Sequence, residues 1–425
     1  MTDHERSGPR RLVPGLLRRP GSFRVFWAGQ TISLFGDQIS LIAVPLTAVL
    51  VLHAGPAQMG GLVAAAWLPS LLFALHAGAW ADRTGHRRRI MIAADLGRAA
   101  VLLTVPAAAA LHALTLVQLY AVVFLNGSLS VLFNVSGTTL FVSTVPPERY
   151  VEGQSLLHGS RAFSFIGGPS VGGLLTQALS GPGALVADAA SFVASALSLS
   201  RIAPPEPEPE QEQERRGLLL SGLRFVFRTP VIRAALGATA TINLFQLAYS
   251  ALAVLYVVGE LRVTPGVLGL VLGAGSVGAL IGSVLAGRLA RRAGIGPAFL
   301  IGCVLFPAPL VLTPLAGGPM PLVLAMLFAA QFGAGMGVMI LDISIGAIFA
   351  AVIPNQIRSR VAGAYTVVNY GVRPIGSLLG GALGASLGVR PTLLVVVACA
   401  TLGFLWLLPS PVPRMAALPA PAELI

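Results

Sequence analysis

One aspartate stands in the middle of a run that is otherwise nearly all apolar. It is Asp37, within Ser33-Leu34-Phe35-Gly36-Asp37-Gln38. The chemistry open to a lone carboxyl group there is to bind a proton and release it. At the centre of a bilayer a carboxylate costs about 2.5–3.5 kcal/mol on insertion scales, so it must face an aqueous cavity or a cationic partner. Two readings follow, a proton carrier or a structural acid locked to an arginine of the same bundle. An arginine in such a place stays charged and needs a counter-charge. Arg161 is the favoured partner of Asp37, and Arg373 lies in nearly the same register of the second half, displaced by 212 residues. An arginine near a helix end can instead snorkel, an alternative that stays open for Arg373. Asp342 is the next candidate acid. Asp188 lies near a membrane boundary, where a carboxylate at a helix N-terminus is a common structural feature. The proton-coupling set is therefore Asp37, Arg161 and Asp342. The counterpart of Asp37 in the second half is Leu247, so any such function is one-sided.

Polar side chains near the centres of other apolar runs could line a substrate cavity: Gln30, Gln38, Asn134, Asn243, Gln246, Gln331, Asn369 and Tyr370. Phe35, Phe163, Phe245 and Phe332 would give it apolar walls. Each alone is more often a helix–helix contact; as a set they fit a compound that is mostly apolar with a few polar groups. No catalytic constellation is present: no nucleophile elbow, no metal-spaced His/Cys set, no phosphate loop. Cys303 and Cys399 both sit in apolar runs, which argues against a disulfide or a metal site. His76 and His158 are single histidines, better suited to packing than to titration. The expectation is a protein that is not an enzyme and uses no cofactor.

The elements that must hold these residues are membrane helices. Of 425 residues, 55% are hydrophobic and 10% charged, and the mean hydropathy is +0.82. A soluble chain could not hide that much apolar surface. A spanning helix needs about 20 apolar residues. Twelve candidates satisfy this, at 24–51, 58–81, 89–111, 115–141, 152–178, 182–200, 231–258, 265–287, 297–316, 320–348, 358–386 and 390–409. The first run is too long for the core of a signal peptide and reads as an uncleaved span. All 28 basic residues are arginine, and the net charge is +12. Nucleic acid is nevertheless a poor partner, because the arginines sit in short loops. Twenty-three of them fall on one side of the twelve spans and only Arg262 and Arg390 on the other. The positive-inside rule then puts both termini in the cytoplasm.

Residues 203–216 form a Pro/Glu-rich linker that cannot bury a core. The following 217–229 have the spacing of an amphipathic helix on the inner surface. The expected organisation is a tail (1–23), a six-helix bundle (24–202), a linker (203–230), a second bundle (231–409) and a tail (410–425). The halves repeat: Leu34-Phe35, Ser40 and Ala43-Val44 recur as Leu244-Phe245, Ser250 and Ala253-Val254 at an offset of 210, and Gly167 and Gly172 recur as Gly376 and Gly381 at 209. Parallel six-helix repeats place a cavity between two bundles, near the midplane.

The loop after the second span reads Gly78-Ala-Trp-Ala-Asp82-Arg83-Thr-Gly85-His-Arg87-Arg88-Arg89, and a weaker copy runs from Gly287 to Gly294, displaced by 209 residues. Gly85 can take the positive φ of a turn without steric cost. The pattern Gly-x-x-Ala-Asp-Arg-x-Gly with basic residues resembles the signature of major facilitator superfamily transporters, over residues 22–410. The resemblance implies an all-α fold of twelve transmembrane helices in two pseudo-symmetric six-helix bundles. It also implies a cytoplasmic gate at Gly78, Asp82, Arg83, Gly85, Arg87 and Arg88. Asp82 could pair with Arg83 or Arg87, or attract the start of the eleventh span near Arg358 and Arg360. Gly168-Pro169-Ser-Val-Gly172-Gly173 resembles the antiporter signature of that superfamily, although Ser155 and Ser164 stand where the fuller pattern has glycines. The fourth span lacks the arginine common among the superfamily's drug exporters. The chain is more similar to the macrolide and enterobactin exporters in Ser33-Leu-Phe-Gly-Asp37 and Asp188-Ala-Ala-Ser-Phe. The resemblance implies a monomer in a bacterial cytoplasmic membrane that exports a small amphipathic molecule by proton antiport and alternating access. Its partners are the substrate, protons and lipid. The alternative is a pH-independent facilitator or importer of a small metabolite on the same fold.

Overall fold

A helix satisfies every backbone N–H and C=O within its own segment, which is what a lipid solvent demands of a single span. The computed structural model describes residues 15–18, 21–202 and 224–417, with side chains described for these except at 18, 74–84, 355 and 359. In the first half the apolar runs become α1 (Ser22–Leu50), α2 (Pro56–Thr84), α3 (Arg87–Ala110), α4 (Leu116–Thr144) and α5 (Tyr150–Ser200). In the second they become α6 (Pro230–Val254), α7 (Pro265–Ala293), α8 (Ile295–Leu305), α9 (Met320–Val352), α10 (Arg358–Leu387) and α11 (Val389–Thr401).

The ends of these helices follow from local chemistry. Pro56, Pro230 and Pro265 open helices where a missing N–H costs nothing. Thr115 caps α4 by accepting from the Gln118 backbone N–H at 3.2 Å. Gly85 ends α2 in the left-handed region at φ 64°, which is the turn its sequence allows. Pro307 and Pro309 lack donors, and α8 gives way there to tighter turns that run on to Leu315.

Ten helices among the described residues are long and apolar enough to cross a membrane. One of them, α5, is a hairpin broken at Ser180, where φ is 68°. Its partners on α1 reverse direction at that point. Thr31 and Ser160 share a hydrogen bond of 2.8 Å, Gly168 lies against Gln38, and Gly181 lies against Thr47. Beyond the break the contacts run backward, with Asp188 at Ser40 and Ser198 at Gly29. So α5 supplies the two spans expected at 152–178 and 182–200. The helix α10 is too polar to be recognised by apolar length alone, since it carries Arg358, Arg360 and Arg373. With these two, the twelve expected segments are all present. Of the expected amphipathic stretch at 217–229, the described part, 224–228, is helical, and Val226 is buried in the core of the second half. The Pro/Glu linker lies outside the described residues.

Each half is built around its first helix. α1 is gripped by both limbs of α5, and α6 lies against α10 through Gly376 at Leu244 and Gly380 at Ala248. The two bundles meet along two seams. In one, Gly60 of α2 approaches Gly381 of α10; in the other, Gly173 of α5 approaches Gly269 of α7. Gly60 and Gly269 are displaced by 209 residues and Gly173 and Gly381 by 208, so the repeat exchanges one seam for the other. A Cβ on Gly60 would stand 2.8 Å from the Gly381 Cα, and one on Gly173 would stand 2.9 Å from the Gly269 Cα. Real Cβ atoms do not approach backbone that closely, so only glycine permits these crossings. Both lie toward the end of the bundle opposite the Gly78–Arg89 loop.

These seams hold that end shut. Leu at position 269 would drive α7 away from Gly173 and Pro169. Spin labels at the exposed positions 117 and 322, one at the start of α4 and one at the start of α9, should move apart in Gly269→Leu relative to the parent. An unchanged distance distribution would show that the glycine crossings do not hold this end closed.

Candidate functional site

The middle of α1 carries Gly36 and Asp37 in succession. A Cβ at Gly36 would fall on the side chains of Asp188 and Ser191, so glycine lets the second limb of α5 press against α1. Asp37, one residue on, turns toward α3. There Asp95 and Arg98 are three residues apart and share a face of the helix. Arg98 donates from Nη2 to Asp37 Oδ1 and from Nε to Asn126 Oδ1 of α4 at 3.3 Å. Its guanidinium lies 3.7 Å from the ring centroid of Phe192 and 5.9 Å from that of Phe133. Flat stacking of this kind suits arginine and not lysine.

Two further carboxylates stand behind this pair. Asp95 Oδ1 is 3.7 Å from Arg98 Nη1. Asp188 accepts from Ser40 Oγ and, at 3.1 Å, from Ser191 Oγ. Asp95 and Asp188 are 0% exposed, and the side chain of Arg98 is 3% exposed while that of Asp37 is 39% exposed. The cluster is thus a buried interior with one partly exposed member. Asp37 also continues the α1 face of Phe26, Gln30 and Leu34 by helical spacing. Those three border a cavity of about 70 Å³ in the first half, shared with Asn134 and Arg161.

The expected pair of Asp37 with Arg161 is corrected: the partner is Arg98. Ser160 is level with Thr31 on α1, which leaves Arg161 roughly 9 Å of helix rise from Asp37. Arg161 faces the small cavity instead and makes no ion pair among the described residues. Asp342 is in the other bundle. It lines a second cavity, of about 220 Å³, with Asn243, Asn369, Tyr370 and Arg373. Of the other cavity candidates, Gln30 and Asn134 border the first cavity. Gln38 does not: it is buried against Gly168, and its Oε1 lacks a hydrogen bond. Gln246 and Gln331 border neither of the two cavities, and the Gln331 backbone packs on Gly275. Phe35 and Phe163 meet edge to face at 5.4 Å.

The glycines of the antiporter pattern divide between two jobs. Gly168 and Gly172 admit α1 at Gln38 and Ile39, and Gly173 with the Pro169 carbonyl faces Gly269 across the seam. In the Gly78–Arg89 loop, Arg88 donates to the Ile202 carbonyl, and Arg87 is buried. The side chains of Asp82 and Arg83, like the Gly78 position, lie outside the described side chains. Arg358 is engaged with the end of α9, donating to the carbonyls of Ala350 at 2.9 Å and Ile353 at 3.3 Å.

Asp95 and Arg98 are the members of the cluster that did not stand out from sequence, whereas Asp188 was expected as a structural acid. A signal existed in the third span, where two opposite charges sit three residues apart in an apolar run.

Comparison with known proteins agrees with this architecture. The chain matches the family described as transmembrane secretion effector over residues 17–423. It is 29% identical over 379 residues to the multidrug efflux pump Tap of Mycolicibacterium fortuitum, covering 85% of this chain and 88% of that one. It superposes on the nucleoside transporter NupG with a TM-score of 0.74 at 12% identity, covering 91% of this chain and 98% of that one. It superposes on a bacterial homologue of the iron transporter ferroportin, in an inward-facing state, with a TM-score of 0.72 at 18% identity, covering 93% and 100%. The chain is a multi-span membrane transporter, not an enzyme, and it belongs to the transmembrane secretion effector family within the major facilitator superfamily.

Proposed function

We propose that the protein exports a small amphipathic compound by proton antiport, with Asp37 as the proton carrier. The observation that carries this reading is the Asp37–Arg98 pair at mid-span, partly exposed on the Asp37 side and backed by two buried carboxylates. One guanidinium can balance one carboxylate, and the cluster holds three. Protons are the remaining counter-charge within reach. Protonating Asp37 releases Arg98, which can then turn toward Asp95 or Asp188; deprotonation draws it back. Such an exchange changes how α1, α3 and α5 are tied together, and α5 carries one of the two seams. The resemblance to a named multidrug efflux pump supports export over uptake. The arginine asymmetry supports both termini in the cytoplasm of a bacterial cell membrane, with the Gly78–Arg89 loop as the cytoplasmic gate. We take the working unit to be a monomer with no partner beyond substrate, protons and lipid.

The first test uses a compound found by screening a deletion strain against a panel of antibiotics and siderophores. In everted vesicles under an imposed pH gradient, Asp37→Asn should lose gradient-driven transport by about tenfold or more and keep exchange down the compound's own gradient. Gradient-driven transport at the parental rate would remove Asp37 from the coupling step.

The second test separates Arg98 from Asp37. Arg98→Gln leaves three buried or half-buried acids without their cation, a loss of about 3–5 kcal/mol when one partner of a buried pair is removed. Its thermal midpoint in detergent should fall well below that of Asp37→Asn. The double variant should recover part of the difference, because it removes a charge that Arg98 had balanced. Strict additivity would contradict a functional ion pair.

A further inference from the structure

The larger cavity, about 220 Å³ in the second half, is bordered by one acid and one base that do not meet. Asp342 of α9 is exposed on its wall and has no ion pair or hydrogen bond among the described residues. Arg373 of α10 is held away from it. Its guanidinium lies 4.2 Å from the ring centroid of Trp67 and 4.3 Å from that of Tyr370, and Nη2 donates to Asn243 Oδ1 at 3.3 Å. Nε of Arg373 is buried without an acceptor. A flexible arginine with a free carboxylate across a cavity ordinarily closes a salt bridge. Two aromatic faces and an amide fix this one in place, and the carboxylate is left open.

The amides around it are fixed too. Asn243 Nδ2 donates to Asn369 Oδ1 at 3.1 Å and to the Thr239 carbonyl at 2.9 Å. Asn369 Nδ2 donates to the Tyr365 carbonyl at 3.1 Å. Neither amide is free to swing out and satisfy Asp342. The cavity wall therefore presents a positive and a negative group at separate, rigid points, with aromatic surface beside the positive one. Tyr370 borders the cavity, whereas Trp67 of the first bundle packs on the Arg373 guanidinium without lining it.

We propose that this cavity is a charge-separated subsite that selects zwitterionic aromatic compounds, with Arg373 receiving the carboxylate, Asp342 the cationic nitrogen, and Tyr370 the aromatic body. The assignment rests on the export reading for its physiological meaning, but it concerns binding alone. A bridging zwitterion makes two charge-assisted contacts in a partly dry site, where a cation or an anion makes one and leaves the other charge bare. The same unmatched charge would disfavour compounds of single sign.

The test is equilibrium binding to the purified full chain in lipid nanodiscs, without a pH gradient, followed by fluorescence polarisation. Three xanthene dyes serve as probes: the free-acid rhodamine, which bears both charges; its methyl ester, which bears only the cation; and fluorescein, which is anionic. The parent should bind the free acid about tenfold more tightly than the ester. Arg373→Gln should bring the two to within about twofold, and Arg373→Lys should restore part of the preference. Asp342→Asn should weaken both cationic dyes and strengthen fluorescein, whose repulsion by the carboxylate is removed. Equal binding of acid and ester by the parent, or no binding of the free acid, overturns the assignment; so does a preference that survives Arg373→Gln. The parent's choice between acid and ester needs no variant to fold. Because no gradient is present, failure of proton coupling leaves this result untouched, and failure here leaves proton coupling untouched.

Discussion

Charge in a medium that cannot solvate it is the constraint that organises this molecule. Three of the mid-span charges in the described structure are answered by geometry, while Arg161 and Asp342 face cavities. Arg98 is stacked on Phe192, hydrogen-bonded to Asn126 and paired with Asp37. Asp188 is held by two serine hydroxyls, and Arg373 lies against two rings. Removing one partner of such an arrangement leaves the other bare, which costs more than the pair contributes when intact. The helix contacts are subordinate to that requirement. Gly36 is small because Asp188 and Ser191 must reach past it, and the hairpin of α5 wraps α1 so that both its limbs serve the same buried set. The charge excess of three acids over one base is where a transport cycle can enter, since protons can come and go without any helix leaving its neighbours.

The two glycine seams supply the mechanical counterpart. Gly60 crosses Gly381 and its repeat counterpart Gly269 crosses Gly173, each pair from opposite bundles. Such contacts are held by close backbone approach and van der Waals packing. Few polar ties accompany them, the Gly266 N–H to Gln177 Oε1 at 3.0 Å being one, so a rocking motion can break and remake them at small cost. Gly173 stands next to Gly172, which packs on α1 beside Gln38 and Ile39. The charge cluster and the seam are therefore two residues of helix apart, and a rotation of α1 reaches both.

Much of this was legible in the chain. Long apolar runs and the loop signature gave the span order. The Ser180 break fell between two expected segments, because Gly181 and Pro182 follow it and the pattern turns polar there. Asp37 stood out since an acid in an apolar run has few explanations. Its partner did not stand out. Arg98 and Arg161 are both arginines in apolar runs, and which one reaches Asp37 depends on how α3 and α5 are rotated and displaced along α1, a tertiary quantity. The Asp95–Arg98 spacing was a local clue to an ionic face on the third span. The seam glycines were visible only as a repeat offset among 49 glycines, where chance coincidence is easy. Gln38 looked like a cavity residue because it is polar and central; helix phase turns it onto Gly168 instead.

If the carboxylates around Arg98 exchange protons for substrate, the coupling must run in both directions. Proteoliposomes loaded with a pH-sensitive dye and given a gradient of a transported compound, with no initial pH difference, test this most directly. The account expects protons to move opposite to the compound in the parent protein. In Asp37→Asn it expects compound flux without proton movement. Compound flux in the parent with no accompanying change in internal pH, or an identical pH change in Asp37→Asn, would contradict it.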